Sequence, residues 1–565
     1  MKSACLALVS LLGFVVPANL LAQPLSQEER ARVEAVLEGM VDEGEPGFAV
    51  GIVREGEVVF EAYEGLADIA HGVPIGPESR INIASVAKQY VGLMMLDLAA
   101  QGEIDLEADF RTYLTGAMPN VSEKISVANL LTHTSGVRDY STLRSLMGVT
   151  WYERPFNNRT AMRLLNEQED LNFQPGSEYL YSNSNYVLLA EVIAAVSGQR
   201  FDAYARSFFD EIGMERTGWK RRYGLVLPNE AKGYMNFNGW IENPQIANYF
   251  GDGFLFTTLP DQMAWERQLQ GAQSSLPRVV VIQSQTRPGS EFPGNYGYGL
   301  EHGTFANETT LFHVGSTGGY NAYTLRLPQR QTSIVVMLNT AQIGVAQLGN
   351  RLAAALLDVP PNQIFDYPAG PEELDARPAN ADVTGRYELS DGTIVAIVER
   401  EGELWREIEG TSPVALVHDQ DNVFAYSTNS QLKMAFKLGQ VGGTEMSIYL
   451  PSQSVQVGRE LGPLPSGETS RTSLEGCFFN AETRTEIVLR WTQGDSFQMI
   501  KNGRSRDAQM VGADYVRWNS YRLRFERDEE DRITRLWVDN GRIRNVRFEP
   551  WDACRAETLG RFIPQ

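Results

Sequence analysis

At 565 residues the chain is too long for one hydrophobic core and should fold as two to four domains. A hydrophobic content of 43% and an aromatic content of 10% are those of a globular protein, which excludes disorder as the dominant state. A formal net charge of −21 opposes contact with nucleic-acid phosphates and anionic lipid, so neither is an expected partner, and the surplus acid reads as a solvated surface.

Residues 1–22 read as an export signal. Lys2 supplies a positive start, Ala4 to Val16 is apolar, and Leu20-Leu21-Ala22 places a small residue before Gln23. The apolar run is short for a membrane span, and no later segment is apolar enough to cross a bilayer. A secreted or periplasmic protein is expected, with Cys5 leaving with the signal. Next comes a capping box, Ser26-x-x-Glu29, ahead of Val33, Val36, Leu37, Met40 and Val41, whose spacing predicts one helical face. Gly47 to Val53 and Val58 to Tyr63 flank Arg54-Glu55-Gly56-Glu57 as a predicted hairpin. Ser85 to Ala100 is apolar almost all round and predicts a helix at the centre of a domain. A mixed helical region follows to about residue 270. Tyr320 to Leu327 and Ser333 to Leu338 predict strands, and Leu348 to Leu357 a closing helix. With strands at both ends of this region, the last should lie beside the first.

Pro, Ala, Gly and acidic residues from Tyr367 to Asp382 read as a linker, and Gly462 to Thr472 as a second. The segments that follow them resemble each other at an offset of 91 residues. Gly385-Arg386-Tyr387 matches Gly476-Cys477-Phe478, and Gly402-Glu403-Leu404 matches the region of Gly494 to Phe497. Two antiparallel barrels are expected, over 381–461 and 473–560, after a first domain over 26–360. Cys477 and Cys554 fall near the first and last strands of the second barrel, which closure makes neighbours, so a disulfide is expected in an oxidising compartment. Five histidines show no metal-binding spacing, and no metal or cofactor is implied.

Three short motifs carry the chemistry. Ser85-Val86-Ala87-Lys88 and Tyr181-Ser182-Asn183 are each patterns that chance also supplies, at Ser430–Lys433 and Tyr234–Asn236, whereas the pattern of His313-Val314-Gly315 occurs once. Ser85 stands where the apolar helix begins, and the positive end of the helix dipole favours an anion there. Lys88, one turn on, shares its face. The bland alternative is a capping serine and a lysine reaching for solvent, but Ile83 to Met95 offers that lysine few solvent-facing neighbours. Burial should lower its pKa and let it take a proton. Tyr181 follows the turn Phe173 to Ser177. As phenolate or in relay with Lys88, it can take the Ser85 proton and return it to a leaving group. Asn183 can bind Lys88 and a substrate amide. Gly315 permits close approach of backbone. The amides of Ser85 and Ser316 can hold an oxyanion, and His313 can polarise the tyrosine or bind substrate.

As an ordered set these segments resemble the motifs of the serine β-lactamase/penicillin-binding protein superfamily. The branch is that of class C β-lactamases, D-alanyl-D-alanine carboxypeptidases, D-aminopeptidases and related esterases. Leu130 to Gly136, Pro175-Gly176 and Gly251-Asp252-Gly253 extend the resemblance over about 26–358. It implies an α+β catalytic domain, an antiparallel sheet flanked by helices with a helical subdomain, and an acyl-enzyme on Ser85. It also implies a structural role for His133. The histidine form of the third motif is similar to that of peptidases and D-aminopeptidases. Two lipocalin-like barrels after such a domain resemble three-domain D-aminopeptidases, in which a loop of the last barrel reaches the active site. Lys501 to Asp507 is the expected loop. The chain departs from the pattern in its export signal and in Phe254, where the family often has glycine. The reading is a serine hydrolase acting on small peptides or amides with a D-amino acid. A DD-carboxypeptidase, an esterase and a weak β-lactamase are alternatives, as is a catalytically silent binding protein of the same fold.

Overall fold

A computed structural model describes residues 24–551 except 150–153, 244–245, 271–273, 307, 360–376, 390–392, 409–410, 421, 439–443, 450–455, 462–463, 465–471 and 502–503. The export signal, Cys554 and most of both linkers lie outside the described residues. The end of the first linker is ordered as a short helix, Asn380–Val383.

The capping box forms. Glu29 N–H donates to the Ser26 hydroxyl at 3.1 Å, and Ser26 N–H donates to the Glu29 carboxylate at 2.8 Å. It opens α1 (Gln27–Leu37). This helix is shorter than its periodicity predicts. Gly39 at φ +68° turns the chain away, so Met40 and Val41 lie beyond the helix while Val33 and Leu37 are buried in it. The hairpin follows as β1 (Phe48–Arg54) and β2 (Glu57–Glu64), joined by Glu55 and Gly56 with φ of 52° and 79°, the positive values a two-residue hairpin turn needs.

The helical part contains α2 (Lys88–Ala100), α3 (Tyr140–Leu146) and α4 (Asn183–Ser197). The chain then returns to the sheet through β3 (Tyr296–Gly297), β4 (Leu300–Phe305), β5 (Glu308–Thr317), β6 (Tyr320–Leu327) and β7 (Thr332–Leu338), and closes with α5 (Val345–Leu357). The seven strands run in the order β3-β4-β5-β6-β7-β1-β2. β7 pairs antiparallel with β1, Phe48 opposite Leu338, so the last strand does lie beside the first. One face of the sheet packs Phe48, Ile52 and Leu325 against Val33 and Leu37 of α1 and Leu348 and Leu352 of α5. The other packs Ala49 and Val53 against the helical part. α2 lies inside that second core, with Tyr90, Val91, Met94 and Met95 all at 0% exposure, which an all-round apolar helix requires. Each such side chain contributes about 1.5–3 kcal/mol of burial.

Gly385–Leu389 through Gln456–Leu461, and Gly476–Asn480 through Ile543–Pro550, each close into an eight-stranded antiparallel barrel. First and last strands are neighbours in both, Tyr387 opposite Glu460 and Phe478 opposite Pro550. Side chains fill the interiors, with Tyr387, Phe424 and Met446 in the first and Phe478, Met499 and Phe548 in the second. Cys477 is buried on its strand, with Sγ 3.2 Å from the Glu486 carboxylate. The disulfide expected with Cys554 falls outside the described residues. No helix among the described residues is long and apolar enough to cross a membrane.

The second barrel docks on the first domain through α3. Leu143 and Leu146 of that helix belong to the barrel's own core, and Lys501 Nζ donates to the Ser145 carbonyl at 2.9 Å. Arg138, with 1% of its side chain exposed, pairs with Glu482 at 3.3 Å and donates to the carbonyls of Arg544 at 3.3 Å and Asn545 at 2.9 Å.

Candidate active site

Ser85 lies in a 3-10 turn, Ala84–Ala87, that leads into α2, so it stands just before the α-helix rather than in its first turn. Ala84 is held at φ +47°, a left-handed conformation that costs a non-glycine residue about 1–2 kcal/mol and gathers at functional turns. Two contacts fix the turn. Ile83 N–H donates to the Leu255 carbonyl at 3.0 Å. Gly315 on β5 also presses against it, since a Cβ there would stand 2.3 Å from the Ile83 oxygen and 3.0 Å from the Ser85 nitrogen. Gly315 is therefore glycine for want of space. Its approach brings the edge of β5, with the exposed Ser316 next along it, against the Ser85 amide.

Lys88 is fully buried, and its Nζ has three neighbours: Ser85 Oγ at 3.1 Å, Asn183 Oδ1 at 3.0 Å and the Asp252 carbonyl. An ammonium satisfies all three as donor. A neutral amine keeps the Asn183 and Asp252 bonds and turns its lone pair to Ser85, whose hydroxyl then donates. The environment favours the second state. Burial lowers the Lys88 pKa to about 7, partly opposed by Asp252 and Asp139 and aided by Arg542. Burial also raises the carboxyl of Asp252, against the pull of Lys88. Tyr140 OH donates to that carboxylate at 2.6 Å.

The Tyr181 ring lies 5.0 Å from Lys88 Nζ, and burial pushes its phenol well above the ordinary value, partly opposed by Ser85 and Arg542. That shift favours a phenol at rest, the form a relay with Lys88 uses. The His133 ring packs 4.3 Å from the Tyr181 ring. Its Nδ1 accepts from Asn185 Nδ2 at 2.9 Å and from Ser182 N–H at 3.3 Å, and burial holds it neutral. It is a positioning residue for the tyrosine loop. Asn183, the first residue of α4, donates its N–H to Asp139 at 2.7 Å, while the other Asp139 oxygen caps α3 through Thr142 N–H at 2.8 Å. One carboxylate thus ties the starts of two helices behind the site.

His313 does not polarise Tyr181 by a direct bond. Its Nδ1 lies 2.7 Å from the Val314 carbonyl, which can only accept, so Nδ1 carries the proton and Nε2 takes the Tyr296 hydroxyl at 3.0 Å. Burial and the Lys88 charge lower its pKa to about 3. A neutral ring with both nitrogens engaged, 6.2 Å from the Tyr181 ring, forms the wall of the site. Phe254 adopts φ +61°, which explains the glycine preference at that position.

Lys501, which opens the expected loop Lys501 to Asp507, docks on α3, and a different barrel segment brings a side chain to the site. It is the turn between Ile533–Asn540 and Ile543–Pro550, which carries the Arg542 guanidinium 4.6 Å above the Tyr181 ring. Three residues of the site were not singled out from the sequence, Asp139, Tyr296 and Arg542, and Asp252 was named only within a supporting segment, with no role in the site. Asp252 had a signal in its flanking glycines, and Asn540-Gly541 marks a hairpin tip. Nothing local shows that the tip meets a domain about 360 residues earlier.

The Beta-lactamase family profile matches residues 30–358. A D-aminopeptidase of Gluconobacter oxydans is 30% identical over 351 residues, which are 59% of this chain and 63% of that protein, so the chain spans less than two thirds of that relative. A D-aminopeptidase of Brucella ovis is 25% identical over 519 residues, 89% of this chain and 95% of its own. Among solved structures, the octameric penicillin-binding protein homologue from Pyrococcus abyssi shares the fold at a TM-score of 0.55 and 20% identity, over 76% of this chain and 100% of that one.

Proposed function

We propose that this chain, which belongs to the Beta-lactamase family and is a serine hydrolase, acts through an acyl-enzyme on Ser85 upon small peptides or amides bearing a D-amino acid. The observation that carries the proposal is the buried Lys88 amine, within 3.1 Å of Ser85 Oγ and with a pKa lowered to about 7. Ser85 Oγ attacks the scissile carbonyl, and its proton passes to Lys88. The amides of Ser85 and Ser316 stabilise the oxyanion. Tyr181, recharged from Lys88, protonates the leaving nitrogen, and the tetrahedral intermediate collapses to the acyl-enzyme. Water then attacks the ester, giving up a proton along the same route, and releases the acid and Ser85. Asn183 holds Lys88 and receives the substrate amide, and His313 with Gly315 shapes the wall beside it. The chemistry needs no metal or cofactor.

The D-amino-acid preference draws on the two D-aminopeptidase relatives, one of which matches through the barrels as well. We extend the proposal to organisation and location. Residues 26–360 form the hydrolase domain, 381–461 and 473–560 the two barrels, and residues 1–22 export the protein to the periplasm or medium.

The test is p-nitroaniline release from D-alanine and L-alanine p-nitroanilides by the mature protein, with Ser85→Ala as control. Cleavage of the D form alone, lost in Ser85→Ala, is the expected result. Cleavage of neither sinks the substrate reading and turns attention to blocked D-Ala-D-Ala peptides, short esters and penicillins.

A further inference from the structure

The Arg542 guanidinium, 4.6 Å from the Tyr181 ring, is an electrostatic neighbour of Lys88, His133, Tyr179, Tyr181 and His313. Its backbone is fixed on both sides. Gly541, at φ +45°, opens a two-residue turn, with Asn540 paired to Ile543 across it. The Arg542 carbonyl accepts from Asn172 Nδ2 at 3.3 Å and from Asp139 N–H at 3.4 Å. Arg544 N–H donates to Asn172 Oδ1 at 2.7 Å, and the Arg544 side chain pairs with Glu178 at 2.7 Å. Buried Arg138 grips the carbonyls of Arg544 and Asn545. Every bond in this set holds main chain or Arg544. The Arg542 side chain is left exposed, with no carboxylate pairing with it among the described residues.

A guanidinium held on a rigid turn beside the site makes a local positive spot in a chain of net charge −21. Those features call for an anion. The planar guanidinium fork fits a carboxylate with two parallel bonds. Position narrows the choice. Lys88 Nζ lies 3.1 Å from Ser85 Oγ and 5.0 Å from the Tyr181 ring, and Arg542 lies 4.6 Å from that same ring, so the anion belongs close to the reacting carbon. In a dipeptide the C-terminal carboxylate carbon is joined to the scissile nitrogen through a single Cα. In a longer peptide that carbon is an amide, and the charge lies further off.

We infer that Arg542 binds the free carboxylate of the residue on the leaving side of the scissile bond, making the preferred substrates dipeptides with an unblocked C-terminus rather than longer peptides or neutral amides. This inference rests on the peptidase reading above and adds to it both the charge and the length of the substrate.

The test compares D-alanyl-glycine with D-alanyl-glycinamide, which differ only in the carboxylate, in the full chain and in Arg542→Gln and Arg542→Lys. A charged hydrogen-bonded contact predicts a kcat/KM preference for the free acid of about 10- to 100-fold. Arg542→Gln abolishes the preference and Arg542→Lys keeps part of it. Equal losses on both substrates in Arg542→Gln, or no preference in the parent protein, overturn the inference. A second pair, 4-nitrophenyl acetate and 3-carboxy-4-nitrophenyl acetate, places the carboxylate on a leaving group that needs only an acylatable Ser85. If neither peptide is cut but the carboxylated ester loses a selective advantage in Arg542→Gln, the peptidase reading falls and the assignment of Arg542 stands. If neither peptide is cut and the ester pair responds equally, the assignment falls too.

Discussion

Replacing Lys88 with methionine lowers kcat/KM by about 10²- to 10⁴-fold, the range of a lost general base. Methionine keeps an unbranched stem within the packing of α2 and removes only the amine, so the variant should fold. In the parent protein the pH profile reports the same group. Lys88 lies near 7 instead of 10.5, so its proton leaves as pH rises through about 7. Below that pH, activity falls about tenfold per unit as the amine is taken up as ammonium, and above it the rate levels off. Stability carries the opposite face of this shift. Between about 7 and 10.5 the unfolded chain holds a proton on Lys88 that the folded chain lacks, so the contribution of this residue to stability rises with pH across that window. The penalty for burying the charge is complete below it. Rates from about pH 5.5 to 8.5, with melting curves of both proteins over the same range, check the two sides. A flat activity profile, or a methionine variant with more than a tenth of parent activity, contradicts the role of Lys88.

Arg138→Met releases the second barrel from the site. Removing one partner of a buried pair costs about 3–5 kcal/mol because the other charge stays buried. Here that partner is Glu482, and two carbonyls of the Arg544–Asn545 segment lose their donor as well. The turn carrying Arg542 then loses the anchor on its C-terminal side. Amide hydrogen exchange at residues 540–546 should rise by about 10²-fold or more, each 1.4 kcal/mol being a factor of ten, while exchange in α2 stays close to that of the parent. Peptide turnover should fall and ester turnover fall less, because the nucleophile turn is held by Leu255 and Gly315 and not by the barrel. Unchanged exchange in the turn would show that Leu143, Leu146 and Lys501 suffice to dock the barrel.

The parts of this molecule that were legible in the sequence are those that repeat a local rule. The Ser26–Glu29 box, the Glu55-Gly56 turn and the all-round apolar α2 each follow from a few neighbouring residues. The three motifs were legible because Lys88 falls where few polar neighbours surround it, and because Tyr181 and His313 recur in order behind it. What stayed hidden depends on chain segments far apart. His313 reads as a group free to act, yet Tyr296 and the Val314 carbonyl take both its nitrogens. Asp139 reads as one more acid in an acidic chain, and Asp252 as a member of a glycine-flanked segment with no stated role. Their places follow from Asn183 and Thr142 meeting the first and from Tyr140 and Lys88 meeting the second. Arg542 illustrates the limit most clearly. Its hairpin was readable, but its reach is set by Asn172, Asp139 and Arg138 in another domain. Boundaries shifted where a single dihedral decides them, as at Gly39, which ends α1 before Met40 and Val41.

The most direct test of the central claim is to look for the ester on Ser85. The full chain is mixed with a slowly deacylating substrate, quenched in acid within seconds and digested, and the peptide containing Ser85 is examined by mass spectrometry. The account predicts a mass increase equal to the acyl group on Ser85 itself, absent in Ser85→Ala and formed far more slowly in Lys88→Met. Turnover with no adduct, an adduct on another residue, or undiminished turnover in Ser85→Ala would contradict it.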